Sequence, residues 1–440
     1  MRNQAASHAG TGLVVVAFLV RVGLAVVVEI WFGGSLTPDD STYSEMARQA
    51  ALGETQAWDP YTHSLYHSTA TFLVPLTAIY KVFGGEGIAG QIFVAALGAG
   101  TAYFTYRVAE EFLAPRWALA AGAIVALLPS QVVWSSTLLK DAAVWFLLSA
   151  LALVVARAGR AEAKKLILAG LLASLILFLL GYLRLHTLVV ASWAVALAAA
   201  AGDPHLRLAR MGGGLAVALV IPLTVGIGPG GLTLVTDAGS LQARRINNAV
   251  GANTAFIDIP SPSPTPLVPP DRASGPGLTV QAPSGSTVSV IDPWAVSELP
   301  EIEVTPPTPP PPVAAPADDP LLSPDLAHLP RGLAVMLLEP TPWGGGSTQL
   351  RFARKEALVW YPIVILALVG LAIGRRHARA LAFPVLAGGG ILLMYALTEG
   401  NIGTAFRHRG EFVWVVALLA AAGAAAVVRA YQTRQGSGEK

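Results

Sequence analysis

The chain has no cysteine. Disulfides, thiolate metal sites and cysteine nucleophiles are therefore excluded, although this absence alone does not identify a compartment. Charge is also scarce: Asp, Glu, Lys and Arg make up 13% of 440 residues, against roughly 25% in a soluble domain. The charges nearly cancel at net +2, so no large basic surface argues for nucleic acid. The sequence carries no internal repeat. Apolar residues fill the space instead, at 54%, and the mean hydropathy is +0.57. This balance belongs to a polytopic membrane protein.

A bilayer span needs about 20 mostly apolar residues. Ten stretches come close, at roughly 12–33, 88–108, 116–136, 141–159, 164–184, 187–202, 211–230, 357–374, 379–398 and 411–430. The expected fold is all-α with about ten transmembrane helices. The first run exceeds the apolar core of a signal peptide, about 7–15 residues, and reads as an uncleaved first span. Basic residues are retained on the cytoplasmic side. In a ten-span count Arg2, Arg107, Arg116, Arg157, Arg160, Lys164, Lys165, Arg207, Arg210, Arg375, Arg376, Arg379, Arg429, Arg434 and Lys440 all fall on that side. Both termini are then cytoplasmic, in a multi-pass protein of the plasma or inner membrane.

Three modules follow. Residues 1–230 hold seven spans and a first outer loop at 34–87. Residues 231–356 form a long outer loop whose part 260–330 includes PSPSPTP and TPPTPPPP. Proline-rich sequence of this kind favours extended or disordered chain. Residues 357–440 hold three more spans. Within the first outer loop, residues 40–52 read as an amphipathic surface helix, with Tyr43, Met46, Ala47, Ala50 and Ala51 at helical spacing and Asp39 or Asp40 as its cap. Such a helix would rest on the bilayer. Segment 69–83, TATFLVPLTAIYKVF, is short for a span and contains Pro75 and Lys81. It is expected at the outer interface.

The outer surface then collects the candidate functional residues. Asp39 and Asp40 lie in TPDDSTYSEM, and Asp141 follows Lys140 in STLLKDAAVWF. Carboxylates there can serve as general bases or metal ligands; the ordinary alternative is helix capping and dipole matching. Arg184 and His186 lie in GYLRLHT, and Arg407, His408 and Arg409 lie in GTAFRHRGEF. Outward arginines run against the usual bias. Their planar forks suit phosphate, although simple interfacial anchoring would also place them there. Arg244 and Arg245 are weaker candidates of the same kind. His63 and His67 are four apart and would share a helix face, but no partner ligand is evident. Arg21 lies inside the first span, where a structural ion pair is the expected role.

In order along the chain, these residues resemble the C-type integral-membrane glycosyltransferases, the group related to protein O-mannosyltransferases and aminoarabinose transferases. The resemblance rests on Arg21 in the first span, Asp39, Asp40 and Tyr43 opening the first loop, and Pro75 to Gly84 after it. It continues with Pro129, Ser130, Trp134, Ser135, Lys140 and Asp141, then Arg184, then the late GTAFRHR stretch. It implies a polyprenyl-phosphate-linked sugar donor, a lipid, glycan or protein acceptor, and surrounding membrane lipids, with no nucleic acid. The catalytic acids would be Asp40, Asp39 and Asp141, with Asp40 favoured as the base. Lys140, Arg184, His186, Arg407, Arg409 and Tyr43 would bind substrate. A divalent metal, Mg or Mn, could assist; no other cofactor is implied. Competing readings are a transporter or flippase for a lipid-linked or anionic substrate, an O-antigen ligase or polymerase-type transferase, and a scaffold.

Overall fold

The computed structural model describes residues 2–84, 88–201, 204–226, 245–246, 323–343 and 348–437. Expectations for 260–322 lie outside the described residues. No strand occurs among the described residues, and the elements are helices. They are α1 (Arg2–Phe32), α2 (Pro38–Leu52), α3 (Pro60–Ser68), α4 (Ala70–Phe83), α5 (Ala89–Glu110), α6 (Pro115–Leu127), α7 (Pro129–Trp134) and α8 (Asp141–Ala158). There follow α9 (Ala163–Gly181), α10 (Leu185–Ala198), α11 (Arg207–Thr224), α12 (Ser323–Leu338), α13 (Thr348–Ile373), α14 (Ala378–Thr398), α15 (Ile402–His408) and α16 (Gly410–Ser437). Seven helical stretches among the described residues are long and apolar enough to cross a membrane. One of these, Ala353–Thr398, joins α13 and α14 through the short turn Gly374–His377. This is an all-α multi-pass membrane protein.

Proline chemistry explains the departure from the simple pattern of runs. The stretch 116–136 is not one helix. Pro129 disfavours helical backbone in the residue before it, and Leu128 is extended at φ −61 and ψ 124. Helix α6 stops there, and Pro129 opens α7 from its first position. The break leaves free carbonyls at the end of α6, which the apolar interior would penalise. Arg21 meets them. Its Nη1 donates to Ala126 O at 2.9 Å and to Ala17 O at 2.9 Å. Its Nη2 donates to Val125 O at 3.0 Å, and its Nε donates to Ser135 Oγ at 2.6 Å. The expected ion pair of Arg21 is thus replaced by a cap on a broken helix. A guanidinium suits this because it carries five donors in one plane.

The cap fixes what comes next. Ser135, Ser136, Thr137 and Leu139 are buried, so the turn between α7 and α8 is held inside the bundle, and it delivers Lys140 and Asp141. Helices α8 and α16 are the central ones, mostly buried, while α1, α9 and α11 expose most of their surface. Gly370 of α13 and Gly423 of α16 let two backbones touch: a Cβ on either would come within 2.0 Å of a carbonyl oxygen of the other helix.

Two loop expectations need correction. Helix α2 does bury Tyr43, Met46 and Ala47, but its apolar side packs on α4, with the Tyr43 and Phe72 rings edge to face at 5.8 Å. It is covered by protein instead of resting on lipid. The end of the proline-rich stretch, from Ser323, is helical, with Pro330 inside α12.

Arg21→Met should lower stability by about 3 kcal/mol, because three buried carbonyls and a hydroxyl lose their donor. Thermal unfolding of the purified protein in detergent measures it. An unchanged Tm would show that these acceptors find other donors.

Candidate functional site

The first acidic pair divides its work. Thr37 is the N-cap of α2, Pro38 occupies the first position, and Asp40 closes a capping box from the third. The cap expected at Asp39 or Asp40 therefore lies at Thr37, where T-P-D-D places an acid three residues on. Asp40 is 1% exposed. It accepts from Leu36 N at 2.8 Å, Thr37 N at 3.1 Å and Ser41 N at 2.9 Å, and also from Ser35 Oγ. It is a loop clip with both oxygens engaged. Asp39, one helical step of about 100° away, is exposed and accepts from Arg407 Nη1 at 2.5 Å.

Asp141 opens α8 and has no exposed surface. Its Oδ2 accepts from Arg407 Nε at 2.8 Å and Nη2 at 2.8 Å. Its Oδ1 accepts from Arg184 Nη2. Arg184 sits at the extended residue between α9 and α10. Its Nη1 donates to Glu411 Oε1 and, at 2.6 Å, to Tyr395 OH. Tyr395 OH donates to Glu411 Oε1 at 2.5 Å, and Thr187 Oγ1 donates to Glu411 Oε2 at 2.9 Å. His186 Nε2 lies 3.2 Å from Tyr395 OH. Five elements converge here: α2, α8, α10, α14 and the start of α16. The segment α15 carries Arg407 into the group.

Lys140 adds a cation with no ion pair within 4 Å among the described residues. Its Nζ lies 5.9 Å from the centre of the Tyr43 ring. Burial, reinforced by repulsion from Arg184, pushes its pKa down to about 8. Burial, and then the Asp141 charge, pushes the Tyr43 hydroxyl up to about 12. Tyr43 is therefore a hydrogen-bond donor at neutral pH. The group carries three carboxylates, Asp39, Asp141 and Glu411, against Arg184, Arg407 and Lys140. Charge balances while one cation stays uncommitted, a suitable seat for an incoming anion.

Arg409 does not join this group. It is 2% exposed and sits between the rings of Trp360 and Phe406, at 4.6 and 4.5 Å. Its Nη2 donates to Glu356 Oε1 at 3.1 Å. Glu356 also accepts from Ser130 Oγ at 2.8 Å and from Ser130 N. Arg409 thus ties α13 and α7 to the start of α16.

Sequence reasoning missed Glu411, Tyr395, Thr187, and the pair of Glu399 with His408. His408 Nδ1 lies 2.5 Å from Glu399 Oε1, and its ring stacks on Tyr395 at 4.4 Å. Glu411 had a signal: it opens an apolar run as Asp141 does. His63 and His67 do lie on a helix, α3, but each packs on an aromatic ring. No group of three or more His, Asp or Glu that could hold a metal occurs among the described residues. Both oxygens of Asp141 are on guanidinium groups and those of Asp40 on backbone and hydroxyl donors, leaving Asp39 alone with a free oxygen.

Compared with known proteins, the chain matches no family model, no curated protein and no solved structure.

Glu411→Leu should cost about 3–5 kcal/mol, because Arg184 and Arg407 must then share the one carboxylate of Asp141, and Thr187 and Tyr395 lose their acceptor. Asp39→Asn, at the solvent edge, should change stability by less than about 1 kcal/mol. Thermal unfolding of both variants in detergent separates them; similar Tm losses would contradict this division of the network.

Proposed function

We propose that the protein transfers a sugar from a polyprenyl-phosphate carrier to an acceptor hydroxyl at the extracytoplasmic membrane surface. One observation carries the reading. An exposed carboxylate, a buried carboxylate, two arginines and an uncommitted lysine meet where α8, α10 and α16 begin. Such a position meets the headgroup of a lipid whose chain remains in the bilayer. The basic residues Arg157 and Arg160, paired with Glu111, lie at the other end of α8, which supports an outward-facing site. The proposed topology has ten spans and cytoplasmic termini: the seven long stretches with α13 and α14 counted separately, plus α6 with α7, and α10.

The chemistry follows from the geometry. The acceptor hydroxyl gives its proton to the free oxygen of Asp39 as its oxygen attacks the sugar's anomeric carbon. The bond from that carbon to the phosphate oxygen breaks, and its electron pair leaves on the phosphate. Lys140, Arg407 and Arg184 take up that charge. Asp141 holds both guanidinium planes in place so that they need not reorganise. Attack opposite the leaving group inverts the anomeric centre, and no enzyme nucleophile is needed. Asp39 is the base in this scheme, because every acceptor site on Asp40 that faces the loop is already used. Arg409 supports the site from below without touching the phosphate.

Two outcomes test the reading with polyprenyl-phosphate sugar and purified protein. Asp39→Asn should reduce transfer by about 100-fold or more with Tm unchanged. Asp40→Ala should instead lower stability by about 2 kcal/mol and leave the folded fraction active. The reverse pattern would return the base to Asp40.

The pH dependence has a defined sign. Lys140 is charged below about 8 and loses its proton above it. The value of kcat/KM for the donor should therefore fall as pH rises through about 8. Lys140→Arg, which keeps its charge, should flatten that limb. A limb that survives in Lys140→Arg would assign it to another group.

A further inference from the structure

The transfer chemistry leaves one pair of titratable groups unused, Glu399 and His408. Glu399 follows the last residue of α14 in extended backbone, with its N–H on Tyr395 O. Its carboxylate is 1% exposed, and Oε1 lies 2.5 Å from His408 Nδ1. Its Oε2 is buried and has no hydrogen-bond partner among the described residues. Arg245 reaches the same end of α14, where its Nη1 donates to Leu397 O at 2.8 Å. His408 is the ion-pair partner that Glu399 has among the described residues. A buried carboxylate held by a single partner is costly unless that partner can carry a charge.

The imidazole is held in one pose. One face stacks on the Tyr395 ring, with centres 4.4 Å apart and planes 20° apart. An ionised carboxylate only accepts, so Nδ1 carries a proton and Nε2 is the working edge. Nε2 has no partner among the described residues, and the side chain keeps 17% of its surface exposed. The ring adjoins the charged group. His408 follows Arg407, whose guanidinium bridges Asp141 and Asp39. The Tyr395 hydroxyl meets Arg184, Glu411 and His186. Arg409, the next residue, is turned toward Glu356. Histidine changes charge near neutral pH. An anion brought beside this ring adds to the negative charge of Glu399, and the two together favour the protonated form. Nε2 then becomes a charged donor.

We propose that Glu399 and His408 form a proton-linked part of the phosphate site. Glu399 orients the ring; His408 takes a proton from solvent as the lipid phosphate arrives and donates to it from Nε2. This rests on the transferase reading in one respect, the placing of a lipid-borne phosphate at the Asp141 group. His408 is then a substrate-binding residue beside Lys140 and Arg407, and Glu399 is a positioning residue that acts through it.

Titration calorimetry in buffers of different ionisation enthalpy counts the protons taken up on binding. The probes are farnesyl methyl phosphate, a diester that does not itself titrate near neutral pH, and uncharged farnesol. At pH 7 Lys140 is already charged, because its pKa is about 8. The purified full chain should take up protons with the diester and none with farnesol. Glu399→Gln keeps the shape of the side chain and an acceptor for Nδ1. That variant and His408→Gln should each remove the uptake and weaken the diester about tenfold, while farnesol binds all three proteins alike. Uptake or diester affinity that persists in both variants would overturn the inference and leave the phosphate site standing. Equal losses of diester and farnesol would assign the pair to the fold alone, and would also overturn it. A wild type that binds the diester no better than farnesol would remove the phosphate site itself, and the transferase reading with it.

Discussion

A carboxylate with no exposed surface cannot keep its charge alone at the mouth of a membrane helix. Asp141 keeps its charge because Arg184 and Arg407 approach from two sides. That pairing draws together segments that are far apart in sequence. Arg184 comes from the break between α9 and α10, and Arg407 from the helical turn before α16. Glu411 and Tyr395 hold Arg184 from behind, and Asp39 holds Arg407 from the solvent side. Such a network adds little net stability over a well-packed apolar alternative, but losing one member costs heavily. Its value lies in placing charged groups where an unpaired set would repel or drown in water.

The network depends on a second constraint within the apolar interior. Asp141 is where it is because the chain breaks at Leu128 and Pro129 and turns once before α8. That break exposes carbonyls in a region without water, and Arg21 answers them. A charge inside the first span is therefore part of the architecture of the site, although it lies outside the charged cluster. Arg409 and Glu356 perform a similar task on the other flank, joining α7 to α13 with an arginine held between two rings. Two buried arginines thus serve the backbone and its helices, and two others belong to the charged cluster around Asp141.

Much of the fold was legible because hydrophobic run length is a direct consequence of bilayer thickness. All ten apolar stretches read from sequence contain helices. The break in the third was foreseeable from Pro129 alone, and the cap at Thr37 from T-P-D-D. The burial of the α2 stripe against α4 was not legible, since an amphipathic face has the same pattern whether it meets lipid or protein. The site was half legible. Span ends carrying polar residues identified Asp39, Asp141, Lys140, Arg184 and Arg407. Helix geometry then separated neighbours that sequence had grouped: Asp40 turns away from Asp39, and Arg409, two residues past Arg407, lies about 200° around the axis. The partners Glu411, Tyr395 and Glu399 arise from tertiary packing that no local pattern encodes.

Together these features describe a bundle whose one end concentrates compensated charge around Lys140, a cation with no ion pair among the described residues. The direct test is an experimental density map of the full chain with a bound polyprenyl monophosphate. The account predicts the phosphate within hydrogen-bond reach of Lys140 and Arg407, beside the free oxygen of Asp39. Phosphate density elsewhere, with this cluster closed on itself, would contradict it.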